Sequence, residues 1–101
     1  MDSDYKDELT DLRRRIDILD DQLLQLLGRR MAEVREVGRY KRAYGLQPLD
    51  EQRWQTVLRT RLDGAESLGL SEEFIAKVYQ LIHEYALSIE AGSEDHHEAT
   101  D

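Results

Sequence analysis

The chain has 101 residues, 40% of them hydrophobic and 36% charged, which is the composition of one folded soluble domain and sets aside disorder of the whole chain. A formal net charge of −8 argues against broad binding to nucleic acid or anionic membranes, which needs clustered cations, but it leaves room for a small anion in a local basic pocket. Without cysteine there is no disulfide framework, thiolate metal site or cysteine nucleophile. No apolar run approaches the roughly eighteen residues of a membrane span, and the acidic start "MDSDYKDELTD" is unlike a secretory or transit signal. A cytoplasmic location is expected.

The many Leu, Glu, Arg and Gln residues, the single proline and the lack of alternating β-branched runs predict an all-α chain of three helices. The first runs from about Asp4 to Tyr44, with Ser3 or Asp4 as N-cap and Gly45 as its stop. Its apolar positions step through Leu9, Leu12, Ile16, Leu19, Leu23 and Leu26 by threes and fours, and the same stepping lands on Arg30, Val34, Val37 and Lys41. In the connector "YGLQPLD", Pro48 disfavours helix at Gln47, and Asp50 is placed to cap the second helix. That helix carries Trp54, Val57, Leu58 and Leu62 on one face and fades in "DGAESLGL". Ser71, with Glu72 and Glu73 behind it, opens the third, whose apolar residues run from Phe74 to Ile89. The domain is expected over 1–91 and a disordered acidic tail over 92–101. The tail holds His96 and His97, leaving His83 as the one histidine in a structured segment, so no metal centre is expected.

A helix of some forty residues is about 60 Å long, against roughly 26 Å for twice the radius of gyration of a compact domain of this size. Two shorter helices cannot cover its stripe, so a second copy is expected to do so in a two-fold dimer. On the heptad stepping alone, a coiled coil with no site explains the same pattern.

Arg30 and Lys41 stand eleven residues apart, nearly three turns, so they share a face about 16 Å apart along the axis. An unpaired buried cation costs several kcal/mol, so a core-facing stripe that accepts both implies an anionic ligand that completes it. Gly38, between them, gives up about 1 kcal/mol of helix propensity and clears space for a ligand or for another helix. Arg13 lies seventeen residues before Arg30, about 25 Å along one helix, and reaches such a pocket only from a partner chain. Arg14, Arg15, Arg29, Arg35 and Arg39 read as solvated helix residues. Asp50 and Arg53, one turn apart, are explained by a cap and an ion pair without any function. Glu90 follows His83 and Ala86 along one face; there it is either solvated or, if it faces an apolar pocket, holds its proton and donates a hydrogen bond as the neutral acid.

The ordered set "LRRRIDILDDQLLQLLGRR", "VGRYK", "LDEQRW" and "YQLIHEYALSIE" resembles the all-α (AroQ-class) chorismate mutases over residues 9–90. The resemblance implies an intertwined homodimer of three-helix chains that converts chorismate to prephenate, toward phenylalanine and tyrosine, without cofactor or metal. It implies that Arg13, donated across the dimer, and Arg30, in the chain, hold the two substrate carboxylates. Lys41 would hydrogen-bond the ether oxygen whose C–O bond breaks, with Glu90 as second donor, and Asp50 and Arg53 would help bind near the ring hydroxyl and carboxylate. Two residues depart from the family pattern: Trp54 stands where some members have a substrate-binding glutamate, and Ala86 replaces a small hydroxyl residue. The "RW" variant and short connector resemble mutase domains fused to 3-deoxy-arabino-heptulosonate-7-phosphate (DAHP) synthase, which implies such a partner domain or an activating partner.

Two other readings compete. An isochorismate-pyruvate lyase shares the fold and basic pocket, although the full connector and the Asp50 and Arg53 positions favour the mutase. A helical dimerisation or regulatory module without activity would have no need of Arg13, Arg30 and Lys41, all of which are present. If a protonated Glu90 is a donor, mutase activity falls between pH 5 and pH 7.5, and Glu90→Gln, a donor at every pH, flattens the profile. Initial rates of chorismate loss for the two proteins check this; a flat profile for the unsubstituted protein removes the role.

Overall fold

The computed structural model describes residues 2–92, with side chains from Tyr5 onward; the expected acidic tail lies almost wholly outside the described residues. Three helices account for most of the chain: α1 (Asp2–Ala43), α2 (Glu51–Ala65) and α3 (Glu72–Glu90), with a 3-10 turn at Glu66–Leu68 prolonging α2. No strand occurs among the described residues. The all-α, three-helix expectation is met.

The boundaries follow the capping chemistry. Asp50 sits in extended geometry and accepts the backbone N–H of Arg53 at 3.0 Å, so it caps α2 as its sequence position suggested. Ser71 does the same for α3, accepting from Phe74 N at 3.0 Å, with Glu72 and Glu73 in the first turn where the helix dipole favours acids. α1 ends one residue before Tyr44. Gly45 then turns into left-handed geometry at φ 67°, donating to Arg42 O at 3.3 Å while Leu46 N donates to Lys41 O at 2.8 Å. This pair of bonds is a Schellman closure, and it needs a residue without Cβ at the left-handed position. At its other end α1 differs from expectation: it starts at Asp2, so Ser3 and Asp4 lie inside the helix and do not cap it. The first turn of a helix has free N–H groups in any case, so a potential cap residue can be absorbed into it.

The chain divides into two compact units, Met1–Ala32 and Glu33–Asp101. The first is the greater part of α1. Along it Leu12, Ile16, Leu19, Leu23 and Leu26, the expected stripe, are each more than 40% exposed. The second unit contains the end of α1, the connector, α2 and α3. Val57 and Ala65 of α2 and Ile75, Ala86 and Ile89 of α3 are its buried apolar residues, with Trp54, Leu58, Leu62 and Ile82 half-buried around them. α2 therefore buries the face predicted for it. On α3, however, Phe74, Leu81 and Tyr85 remain exposed, spaced seven and four residues apart on one side of the helix.

No helix of the described residues is long and apolar enough to cross a membrane. The caps carry a simple consequence for stability. Ser71→Ala should lower the unfolding free energy by about 1 kcal/mol, and Gly45→Ala by about 1–2 kcal/mol because alanine resists the left-handed conformation. Urea unfolding followed by circular dichroism measures both.

Candidate active site

The second unit gathers charged groups where the last turn of α1 meets the end of α3. Lys41, in the last turn of α1, places Nζ 2.6 Å from Oε1 of Glu90, the last residue of α3; their side chains are only 19% and 12% exposed. The same Nζ donates to the carbonyl oxygen of Pro48 at 2.6 Å, so the connector supplies part of the site. Lys41 and Glu90 stand at an ion-pair distance but outside hydrogen-bond angles, and Oε1 is buried without a hydrogen-bond partner. An ammonium has three donors, of which the Pro48 carbonyl takes one. A ligand oxygen entering here would find both an uncommitted N–H and a carboxyl group.

The approach of α3 to α1 depends on Gly38. A Cβ at that position would stand 3.0 Å from Glu90 Cα and 3.5 Å from Glu90 O, so any larger residue pushes the end of α3 away. Of the two possibilities for Gly38, ligand or helix, the structure fills the space with a helix. Arg42, the residue after Lys41, donates from Nη1 to Glu90 O at 2.8 Å. α3 has no basic residue in its own last turn, so this guanidinium supplies the cation that a helix C-terminus favours.

The other predicted site residues are less engaged. Asp50 and Arg53 are both exposed, and the Asp50 carboxylate takes the backbone N–H of Arg53; no ion pair between the two side chains is found among the described residues. Arg13 is exposed on α1. Arg30 is half-buried, and its Nη1 is buried with no hydrogen-bond partner. A guanidinium nitrogen in that state can donate to an acceptor oxygen. The two cations of the stripe therefore differ: Lys41 is met by a carboxyl group of its own chain, and Arg30 keeps an open nitrogen.

Of the arginines read as solvated, Arg14 and Arg39 form exposed one-turn pairs with Asp11 and Glu36, whose contribution to stability is small. Arg35 is half-buried, so the solvated reading fails for it.

In sequence Trp54 reads as part of the apolar face of the second helix and as a departure from a family pattern. In the structure its indole stacks on the His83 imidazole, with ring centroids 3.8 Å apart and planes 9° from parallel. Ala86, the other departure, is buried. Nothing in the sequence linked Trp54 to His83, since the pair depends on how α2 packs on α3.

The described residues define an all-helical chain of three helices in which a partly buried lysine meets a carboxyl group. For this chain the comparison with known sequences is specific: the profile of the family described as chorismate mutase type II matches residues 12–91. The chain belongs to the type II chorismate mutase family. It is 40% identical over 75 residues to the T-protein of Enterobacter agglomerans, covering 74% of this chain and 20% of that protein. It is 36% identical over 74 residues to the T-protein of Haemophilus influenzae, covering 73% and 20%. The chain thus spans about a fifth of the length of these T-proteins. It is also 37% identical over 78 residues to the isochorismate pyruvate lyase of Pseudomonas aeruginosa, covering 76% of each chain.

The aromatic stack offers a direct check of the packing of α2 on α3. Trp54 is the only tryptophan, so intrinsic fluorescence reports on it alone. His83→Ala removes the ring that covers one face of the indole and lets water reach it, so the Trp54 emission maximum should move to the red at constant pH; an unchanged spectrum would mean that the two rings do not stack in solution.

Proposed function

We propose that the chain is a chorismate mutase, carrying out the [3,3] rearrangement of chorismate to prephenate within one substrate molecule. The single observation that carries this reading is the pairing of Lys41 Nζ with Glu90 Oε1 at 2.6 Å in partly buried surroundings, inside a chain of this family. The rearrangement breaks a C–O bond and builds negative charge on the ether oxygen as the bond lengthens. Catalysis then consists of holding the dianion in a compact chair and stabilising that charge with donors already in place.

The residue roles follow from the chemistry each group offers. Lys41, held by the Pro48 carbonyl, directs a remaining N–H at the ether oxygen. Glu90, when it carries a proton, is the second donor to the same atom. Arg30 takes a substrate carboxylate on its open nitrogen. Arg13 supplies the other carboxylate contact from a second protomer, and Asp50 and Arg53 contribute at the ring hydroxyl and carboxylate.

The dimer in this reading is supported by two exposed apolar faces. One is the α1 stripe from Leu12 to Leu26, and the other is the row Phe74, Leu81 and Tyr85 on α3. Surfaces of this kind on a soluble chain are commonly interfaces, and a lone helix does not hold its shape well without a partner for its apolar side. A second copy of the chain covers both economically. In the longer T-proteins a similar segment forms one part of a larger protein, and association with a further enzyme domain, of the DAHP synthase kind, is part of this proposal.

A second reading, isochorismate-pyruvate lyase, is favoured by the 37% identity to the Pseudomonas aeruginosa enzyme along most of both chains. The two separate on product: prephenate from chorismate in one case, pyruvate and salicylate from isochorismate in the other. Purified protein is expected to deplete chorismate absorbance with prephenate as product. Lys41→Met should lower kcat by roughly a hundredfold or more, the scale for losing one preorganised donor. The trans role of Arg13 has its own test. Arg13→Ala and Arg30→Ala are each expected to be inactive, yet mixing them by refolding should restore about a quarter of full activity, because half the dimers then hold one intact site. No recovery on mixing would place both arginines in the same protomer's site, or Arg13 outside it; pyruvate release from isochorismate without mutase turnover would select the lyase.

A further inference from the structure

Glu90 is the last residue of α3, the point where a helix frays most readily. A group at such a position is poorly placed to act on a substrate atom unless something else fixes it. Two consecutive residues of α1 do so. Lys41 meets the side chain of Glu90 at 2.6 Å, and Arg42 donates to its main-chain oxygen at 2.8 Å. Neighbouring residues on a helix point about 100° apart, so both can reach one residue only if its backbone crosses α1 at close range. Gly38 provides that crossing, since a Cβ there would stand 3.0 Å from Glu90 Cα and 3.2 Å from Arg42 Nη1. On the other side the guanidinium lies near Gly92, where a Cβ would stand 3.9 Å from Nη1. The Arg42 guanidinium is thus laid across the end of α3 between two residues that lack side chains.

We infer that Arg42 is a positioning residue for the reaction: by holding the Glu90 carbonyl over Gly38, it sets where the Glu90 carboxyl group stands relative to Lys41. This rests on the mutase reading above, in which Glu90 acts on the ether oxygen. Arg42 itself touches no reacting atom. Its effect is on the rate of the chemical step more than on substrate binding, because the carboxylate contacts of Arg13 and Arg30 do not involve it.

The test compares kcat and KM for Arg42→Met, Arg42→Lys and Gly38→Ala, with folding followed by circular dichroism and oligomeric state by light scattering. Arg42→Met, which keeps length but loses the donor, should lower kcat about tenfold or more and change KM by less than about threefold. Arg42→Lys, which keeps a donor, should recover part of the loss. Gly38→Ala should reproduce the Arg42→Met phenotype by displacing the same carbonyl from the other side. In a Glu90→Ala background, with no carboxyl group left to position, Arg42→Met should cause no further loss. A wild-type kcat in Arg42→Met overturns the inference, as does an equal loss in the Glu90→Ala background, which would mark a purely structural role. Should the unsubstituted protein fail to turn over chorismate, it is the mutase reading that fails. The positioning is then read from the 13C resonance of the Glu90 carboxyl carbon: a changed shift in Arg42→Met sustains it, and an unchanged one overturns it.

Discussion

The second unit turns on the backbone of α3 ending directly against Gly38 of α1. A glycine inside a long helix gives up helix propensity, and here the return is a backbone approach that a Cβ would block. That approach brings a carboxyl group within 2.6 Å of an ammonium and lets the next residue cap the helix end. Placing both charges in partly buried surroundings has a desolvation cost, which their pairing and the Pro48 carbonyl offset. The pair is therefore not a clear source of stability, since apolar residues in both places would stabilise the helices at least as well.

The apolar surface tells a complementary story. Within the described residues the buried hydrophobic side chains are few: Met31, Val57, Ala65, Ile75, Ala86 and Ile89. Two of the six are alanines. Against this, large residues along α1 and α3 stand in water. A domain of about this size ordinarily removes well over half of its unfolded surface from solvent, and a core so small leaves the ordering of a long helix weakly compensated. The dimer proposed for this chain would turn the exposed leucines from a liability into the principal hydrophobic contribution to folding, and folding and assembly would become one equilibrium.

Much of the fold was legible because local rules and tertiary structure agree. Asp50, Ser71 and Gly45 each announce a helix end through chemistry that acts within four residues, and each acts there. The start of α1 was misplaced because Ser3 and Asp4 are compatible with the first turn as well as with the cap. Of the candidate site, Lys41 was visible as a cation on an apolar stripe, and Glu90 only as an ambiguous acid whose surroundings sequence could not supply. Arg42 and the stack of Trp54 on His83 were not legible at all. Their partners lie 48 and 29 residues away, and no periodicity in one helix specifies which residue of another it meets.

The acidic balance of the chain bears on how such a site selects its ligand. A protein of net charge −8 does not draw anions to itself by its overall field. Recognition has to come at short range, from guanidinium and ammonium groups whose remaining donors are fixed before the ligand arrives. Lys41 is already engaged by Pro48 and Glu90, so a ligand that offered only a negative charge would compete with a carboxyl group that is in place. In the proposed mutase reading the substrate's ether oxygen would not have to displace Glu90; it could take the spare N–H of Lys41. In that reading, selectivity for a dianion with an internal ether oxygen would follow from how the lysine is occupied, and the same occupation would keep its donor aimed at the bond that lengthens in the transition state.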